Sequence, residues 1–225
     1  RSMISKTINS TITTLINPFD VSGLLSRYFV TLDPVLNSHY EVAAPITFAG
    51  DFEIEVEFSK GPQESDYNVL IGQSNTTSNW ITTRTNYVSI SMGAAVLNGV
   101  IPILDGKLHL IKLTRVGSLI SLYVDGVADG TMNKTNNIVF DQIGRNTGSH
   151  FFDGILANVK FTDQSGASDV VTTFKLDQAT ANTESSVEGN NSVTYVNTPQ
   201  SARDLYTLEG STWTDAAGNT IEVAS

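Results

Sequence analysis

Cysteine is absent from this 225-residue chain, which removes disulfide cross-links, thiolate metal sites and cysteine nucleophiles at once. The missing staples do not fix a compartment, because a chain of this length can bury enough core to fold without them. Charge is scarce as well: Asp, Glu, Lys and Arg make up 16% of the residues, against roughly 25% in an average soluble domain. Basic residues are the rarer sign, 13 against 23 acidic ones, for a net charge of -10. A field of that sign repels phosphate backbones and anionic lipids, and no Lys/Arg stripe offsets it. Nucleic acid is therefore not expected as a partner, nor is an anionic membrane surface. No apolar run reaches the roughly 18 residues of a spanning helix, so membrane insertion is not expected either. Arg1-Ser2-Met3 carries no signal-peptide pattern; Arg1-Ser2 reads either as a remnant ahead of Met3 or as the interior of a longer chain.

What is present is a hydrophobic fraction of 40%, enough for a real core, under a skin that must be drawn from Ser, Thr, Asn and Gln. Such a surface suits an extracellular or virion location. Residues 1–24 form a segment apart, an N-terminal arm in which Ile4, Ile8, Ile12 and Ile16 recur every fourth residue. That spacing fits one side of a helix, yet it also satisfies strand alternation, which Thr and Ile favour. An oligomerisation or docking arm and a surface-draped edge strand are both open readings. Residues 25–225 read as one domain.

Strand signals dominate from Tyr28 onward. Asp51-Phe52-Glu53-Ile54-Glu55-Val56-Glu57-Phe58 alternates without fault, apolar residues on one face and three glutamates on the other. Further strands are expected at Tyr28–Leu32, Tyr40–Val42, Asn68–Gly72, Trp80–Thr83, Tyr87–Met92, Ala95–Leu97, Val170–Leu176, Val193–Asn197 and Thr220–Val223. Gly106–Arg115 and Ser118–Gly126 read as a hairpin turning at Val116-Gly117 and closing on Asp125-Gly126; Phe151–Phe161 is another strand fed by Asp153-Gly154. Gly61-Pro62, Asn98-Gly99, Asp105-Gly106, Asp129-Gly130 and Gly148-Ser149 serve as breakers, and the polar interval 178–192 as a long loop. Many short strands of even spacing and few credible helices predict an all-β fold, a two-sheet antiparallel jelly-roll sandwich.

The hairpin and the Phe151–Phe161 strand together resemble the paired signatures of laminin-G-like (concanavalin A-like) jelly rolls, over roughly residues 28–162. The matches are strongest at 51–58, 106–126 and 151–161. In that family a Trp-His pair follows the Gly-Lys; here Leu108-His109 follows Gly106-Lys107, which keeps an apolar anchor. The resemblance implies a surface-binding module for glycan or polysaccharide. The Ser/Thr/Asn-rich style of the chain further resembles bacteriophage tail-fibre or other virion-appendage domains, with homo-oligomers formed through the arm.

Sugar recognition needs exposed aromatic faces flanked by hydrogen-bonding side chains. Trp80 with Arg84, Asn86 and Tyr87 is the best such set, and Trp213 is a second; the alternative is that both tryptophans fill the sandwich or cover a sheet edge. His109 shares a face with Ile111 and Leu113 and reads as a buried structural histidine, while Arg115 reads as a surface or strand-capping residue. Glu53, Glu55 and Glu57 resemble the acidic strand of family-16 glycoside hydrolases, in which paired carboxyls about 5–5.5 Å apart give retention. The central acid here is Glu rather than Asp and the downstream glycine pattern is missing, so the chain is expected not to be an enzyme. Laminin-G-like folds often hold calcium at the rim. Asp66, Asp125, Asp129, Asn133, Asp141 and Asp153 all fall in expected turns, with Asp66 and Asp129 the first candidates, although no compact ligand spacing exists and the ligands stay unassigned. Two further readings stand beside adhesion: a purely structural domain that assembles or decorates a particle, and a family-16-like glycanase.

Overall fold

Strict alternation over Phe52–Ser59 takes Phe52, Ile54, Val56 and Phe58 to 0% exposure and leaves Glu53, Glu55 and Glu57 half-buried on the opposite face. The computed structural model describes residues 25–62, 67–147 and 150–224, so the arm expected over residues 1–24 lies outside the described residues. In chain order the strands begin β1 (Leu25–Leu32), β2 (His39–Phe48), β3 (Phe52–Ser59), β4 (Asn68–Gln73), β5 (Thr76–Arg84) and β6 (Tyr87–Met92). There follow β7 (Ala95–Asn98), β8 (Leu108–Val116), β9 (Leu119–Val124), β10 (Val127–Asn133), β11 (Ile138–Ile143) and β12 (Gly154–Asp163). The last are β13 (Val170–Phe174), β14 (Thr183–Ser185), β15 (Ser192–Val196), β16 (Arg203–Glu209), β17 (Thr212–Asp215) and β18 (Thr220–Glu222).

They form two antiparallel sheets, as expected. A ten-stranded sheet runs β10-β9-β8-β3-β12-β1-β16-β17-β18, with β13 beside β12, and an eight-stranded sheet runs β14-β15-β2-β11-β4-β5-β6-β7. Phenylalanines link the two layers: Phe48 of β2 lies 4.7 Å from Phe52 of β3 and 6.3 Å from Phe161 of β12, and Phe140 of β11 lies 6.5 Å from Phe161. Each is at or near zero exposure, worth about 1.5–3 kcal/mol per side chain removed from water.

The expected hairpin is present with its turn one residue later. Val116 pairs with Leu119, so the loop is Gly117-Ser118, and Gly117 supplies the positive φ of 62° that a two-residue turn requires at its first position. Asp125 and Gly126 then take φ of 50° and 80°, a primed turn of the kind Asp-Gly favours. Asp129-Gly130 is not a breaker. It sits in the bulge of β10, where the register shifts between Ala128 and Gly130. The interval 178–192 is not all loop either. Thr183–Ser185 pairs with β15, held by Glu184, whose carboxylate accepts Tyr195 Oη–H at 2.7 Å and Leu176 N–H at 2.9 Å.

Arg115 does not lie at the surface. The alternation that turns His109, Ile111 and Leu113 inward turns it inward as well, to 1% exposure. Its Nε donates to the Gly50 carbonyl at 2.6 Å and its Nη1 to the Asn136 carbonyl at 2.9 Å, while the guanidinium lies 5.1 Å from the centre of the Phe52 ring. The strand-capping half of the expectation holds, from inside the sandwich.

Trp213 belongs to a second apolar cluster with Phe29, Leu108, Ala157, Tyr206 and Ile221. The ten-stranded sheet rolls over at this end. An isolated bridge joins Leu108 to Val223, and Ala224 N–H donates to the Leu108 carbonyl at 2.9 Å, which returns the C-terminal ribbon to the start of β8. Inside the roll, Phe29 meets Trp213 edge-on at 5.1 Å and Tyr206 at 5.2 Å.

Lys60 is an ionisable group inside the structure. Its Nζ donates to the Asp153 carbonyl at 2.5 Å and lies 3.6 Å from that residue's carboxylate. Burial nevertheless pushes the amine down from 10.5 to about 8.

Two outcomes follow. Trp213→Ala is expected to lower the free energy of unfolding by about 3–5 kcal/mol in urea, the cost of emptying an aromatic site. For Lys60, the folded amine releases its proton below the pH at which the unfolded one does, so between about pH 8 and 10.5 the unfolded chain binds more protons. Stability is therefore expected to rise with pH across that window, by at most about 3 kcal/mol. Above about pH 10 it is expected to fall again, because burial raises Tyr40 and Tyr195 above their ordinary value and only the unfolded chain ionises them there. Urea melts from pH 7 to 11 check both limbs, and Lys60→Met is expected to flatten the rising one.

Candidate functional site

On β5, Ile81 enters the core while Trp80 and Arg84, four positions apart, stand half-buried on the outer face of the eight-stranded sheet. Between them Thr82 is fully buried and donates its hydroxyl to the Asn68 carbonyl at 2.8 Å. The residues directly opposite Trp80 are Gly72 on β4 and Ser91 on β6, both too small to cover an indole. Gly72 also permits a crossing: a Cβ there would lie 2.3 Å from the carbonyl oxygen of Arg145, so only glycine lets the 145–146 backbone pass over the strand.

Two further aromatic residues complete the cluster. Tyr67, just ahead of β4, stacks on the Trp80 indole with centroids 5.2 Å apart and planes 13° from parallel. His150 meets both rings edge-on, at 5.7 Å from Trp80 and 5.6 Å from Tyr67. The Arg84 guanidinium lies 4.7 Å from the centre of the Tyr67 ring, and Tyr87 is directly opposite Arg84 in the register. A stacked pair with an edge-on imidazole is a rigid, shallow platform; the cation on Tyr67 adds about 0.5–1 kcal/mol of local order. Chemically it offers ring faces for C–H surfaces, with guanidinium, phenol and indole donors at the margin.

Three of the five candidate residues, Trp80, Arg84 and Tyr87, thus share one sheet face. Asn86 does not join them, because its Oδ1 accepts Ile103 N–H at 3.3 Å and Leu104 N–H at 3.1 Å, which clips the β5–β6 turn to the segment beside it. Trp213 is only 8% exposed, its ring face closed by Phe29, so it has no surface to offer a sugar. Tyr67 and His150 were not legible as site residues: each lies outside the strand that carries Trp80, and only tertiary packing joins them. A wider recess of about 580 Å³ at the Val35–Leu36 loop is a weaker candidate, since its only ring, Tyr195, is 5% exposed and lies under the Arg203 guanidinium.

The three glutamates of β3 are each paired with a base. Glu53 is ion-paired with Lys112 and lies 3.9 Å from Lys160, Glu55 meets Lys160 at 2.9 Å, and Glu57 meets Arg27 at 3.3 Å. The hydrogen bond to Glu55 raises the Lys160 amine above its ordinary range. His109 is 4% exposed, as its alternation predicts, and sits between Asp125 at 2.7 Å and Asp105 at 2.9 Å. Burial pushes the Asp105 carboxyl upward, but hydrogen bonds from the Lys107 N–H and the His109 ring outweigh it and hold the group below its usual range.

The candidate calcium ligands are scattered and largely committed. Asp66 lies outside the described residues. Asp129 is buried in the β10 bulge, where its Oδ1 accepts Val100 N–H at 2.8 Å and Ile101 N–H at 2.9 Å. Asp125 accepts Leu110 N–H and the His109 ring, while Asp153 pairs with Lys60. Asn133 and Asp141 are in strands rather than turns, and Asp141 accepts both the N–H and the hydroxyl of Ser74. No group of three or more His, Cys, Asp or Glu placed to hold a metal occurs among the described residues.

No family model and no curated protein matches the sequence. Among solved structures, a candidate carbohydrate-binding protein of Bacteroides ovatus superposes with a TM-score of 0.63 over 88% of this chain and 62% of its own, at 16% identity. The two share a two-sheet antiparallel β-sandwich fold. This chain spans about three fifths of that protein's length, and the likeness extends to the fold alone. The heptameric pentraxin of Limulus polyphemus (13% identity, TM-score 0.45, 60% of this chain and 75% of that one) shows a looser similarity. So do mouse laminin alpha1 domains LG4-5 (17%, 0.44, 68% and 45%).

For the most buried of the calcium candidates, Asp129→Ala is expected to lower the free energy of unfolding by about 2 kcal/mol in urea, because two backbone N–H groups lose their acceptor. A calcium-dependent melting temperature abolished by the same substitution would instead make Asp129 a metal ligand.

Proposed function

We propose that this chain is a non-catalytic module that binds a cell-surface glycan on the Trp80–Tyr67–His150 platform. The observation that carries the reading is the half-buried stacked ring pair, with Arg84 and Tyr87 beside it and Gly72, Ser91 and the exposed Val96 on the rung of Trp80. Flat aromatic faces bind the C–H side of pyranose rings, and the guanidinium and phenol supply hydrogen bonds to hydroxyls. The candidate carbohydrate-binding protein of Bacteroides ovatus shares the sandwich, which is compatible with that ligand class; fold alone does not assign it.

Hydrolysis fits the residues less well. A proton-donating carboxyl needs an apolar or like-charged setting, whereas Glu53, Glu55 and Glu57 each face a lysine or arginine. Display on a virion or another extracellular surface, in copies joined through residues 1–24, belongs to the same proposal. A shallow site binds weakly one at a time, and several copies on one particle multiply its avidity.

The test is a glycan array followed by titration calorimetry on the best ligand. Trp80→Ala or Tyr67→Ala is expected to weaken binding at least tenfold, the equivalent of about 1.4 kcal/mol, without lowering the melting temperature enough to unfold the chain. Binding unchanged by both substitutions, or no binding to any glycan, would favour a purely structural role. Release of reducing ends that stops on Glu53→Gln would establish a glycanase.

A further inference from the structure

The outer face of the ten-stranded sheet has no role in the platform, which lies on the other layer. We propose that it is a second, separate binding site, for an uncharged polysaccharide lying across the strands. It shares with the proposed function only the class of ligand.

The register builds the site. Tyr123 on β9 stands opposite Lys112 on β8, Lys112 opposite Glu55 on β3, and Glu55 opposite Lys160 on β12. These four side chains form one rung across four neighbouring strands. The adjacent rung places Ser121 opposite Thr114, Thr114 opposite Glu53 and Glu53 opposite Thr162. Neighbouring strands lie about 4.8 Å apart, a spacing comparable to the length of one pyranose ring in an extended chain. A polymer laid along the first rung would therefore meet a hydrogen-bonding group at each residue, with Tyr123 as the ring surface at one end; on the second rung Thr162 is buried. A groove of about 380 Å³, lined by Glu53, Leu110, Lys112, Thr114, Tyr123 and Gly126, opens over the β9, β8 and β3 part of these two rungs and stops short of β12.

Charge selects the ligand. Three bases, Arg27, Lys112 and Lys160, balance three acids, Glu53, Glu55 and Glu57, through the ion pairs described above. These six charges cancel on a chain whose total is -10, and Glu188, which acts on Lys160 from the flank, adds one acid at the margin, so a uronate polymer is not favoured. Paired carboxylates and ammonium groups, pre-ordered and part-exposed, suit hydroxyls that both donate and accept. The C-terminal ribbon bounds one side, where Leu108 and Val223 meet. Because the two sheets pack back to back, the two sites face opposite directions and one chain could hold two polymer strands.

Affinity electrophoresis tests the proposal, in gels containing a soluble neutral β-glucan, a mannan or a galactan, with polygalacturonate as the charged comparison. Melting curves confirm that each variant is folded. In at least one neutral gel, Tyr123→Ala and Lys112→Met are expected to reduce retardation fivefold or more, Tyr123→Phe to retain it, and Trp80→Ala to leave a retarded species that Tyr123→Ala then removes. Retardation abolished by Trp80→Ala and untouched by Tyr123→Ala overturns the second site and leaves the first reading standing. No retardation in any neutral gel, or retardation only by polygalacturonate and lost in salt, overturns it as well.

Discussion

The layer of aromatic and aliphatic side chains between the two sheets is the constraint on which the rest of the structure depends. Phe52, Ile54, Val56 and Phe58 from one layer, with Phe48, Phe140 and Ile143 from the other, are fully excluded from water. A one-residue slip of β3 would exchange these four apolar residues for three glutamates, so burial pins the register of the strand and of its neighbours. Both outer faces inherit their composition from that pinning. Trp80 and Arg84 point outward because Ile81 points in, and Lys112 and Tyr123 point outward because Ile111 and Val124 point in.

Buried polar groups at the margins set where the core ends. Arg115 donates to the carbonyls of Gly50 and Asn136, His109 ties the Asp105 turn to the Asp125 turn, and Glu184 binds Tyr195 to the backbone of Leu176. Each is a charged or aromatic group whose partners lie on a different element, so the loss of one would leave several groups unsatisfied at once. These ties make the sandwich a rigid scaffold, which is what a shallow recognition surface requires, since little binding energy is then spent on ordering the site.

Most of the architecture was legible in the sequence because period-2 alternation is a local signal. The hairpin 106–126 could be read directly to within one residue at its first turn, and so could the strand at 51–58; the strand expected from Phe151 begins only at Gly154, with Phe151 in an isolated bridge to Arg145. The strands that escaped, β10, β11, β14, β16 and β17, failed for identifiable physical reasons. In β10 the pair Asp129-Gly130 reads as a turn, yet Asp129 is the extra residue of a bulge and serves Val100 and Ile101, and Gly130 stays in the ladder opposite Leu122. In β14 a polar triplet becomes a strand because one glutamate finds a buried tyrosine. The site was legible by half. Trp80, Arg84 and Tyr87 lie on one hairpin, where alternation puts them on one face; Tyr67 and His150 arrive from other elements, and no spacing announces them. Trp213 looked equivalent to Trp80 in composition, and only the roll of the C-terminal ribbon around Phe29 separates the two.

The central claim is that an aromatic patch on the eight-stranded sheet is where the chain touches its ligand. Amide hydrogen exchange with and without a saturating glycan from the array tests it most directly. The account predicts new protection at β5 and at residues flanking Tyr67 and His150, with the recess around Val35, Leu36 and Tyr195 unchanged. Protection confined to that recess, with none at β5, would contradict it.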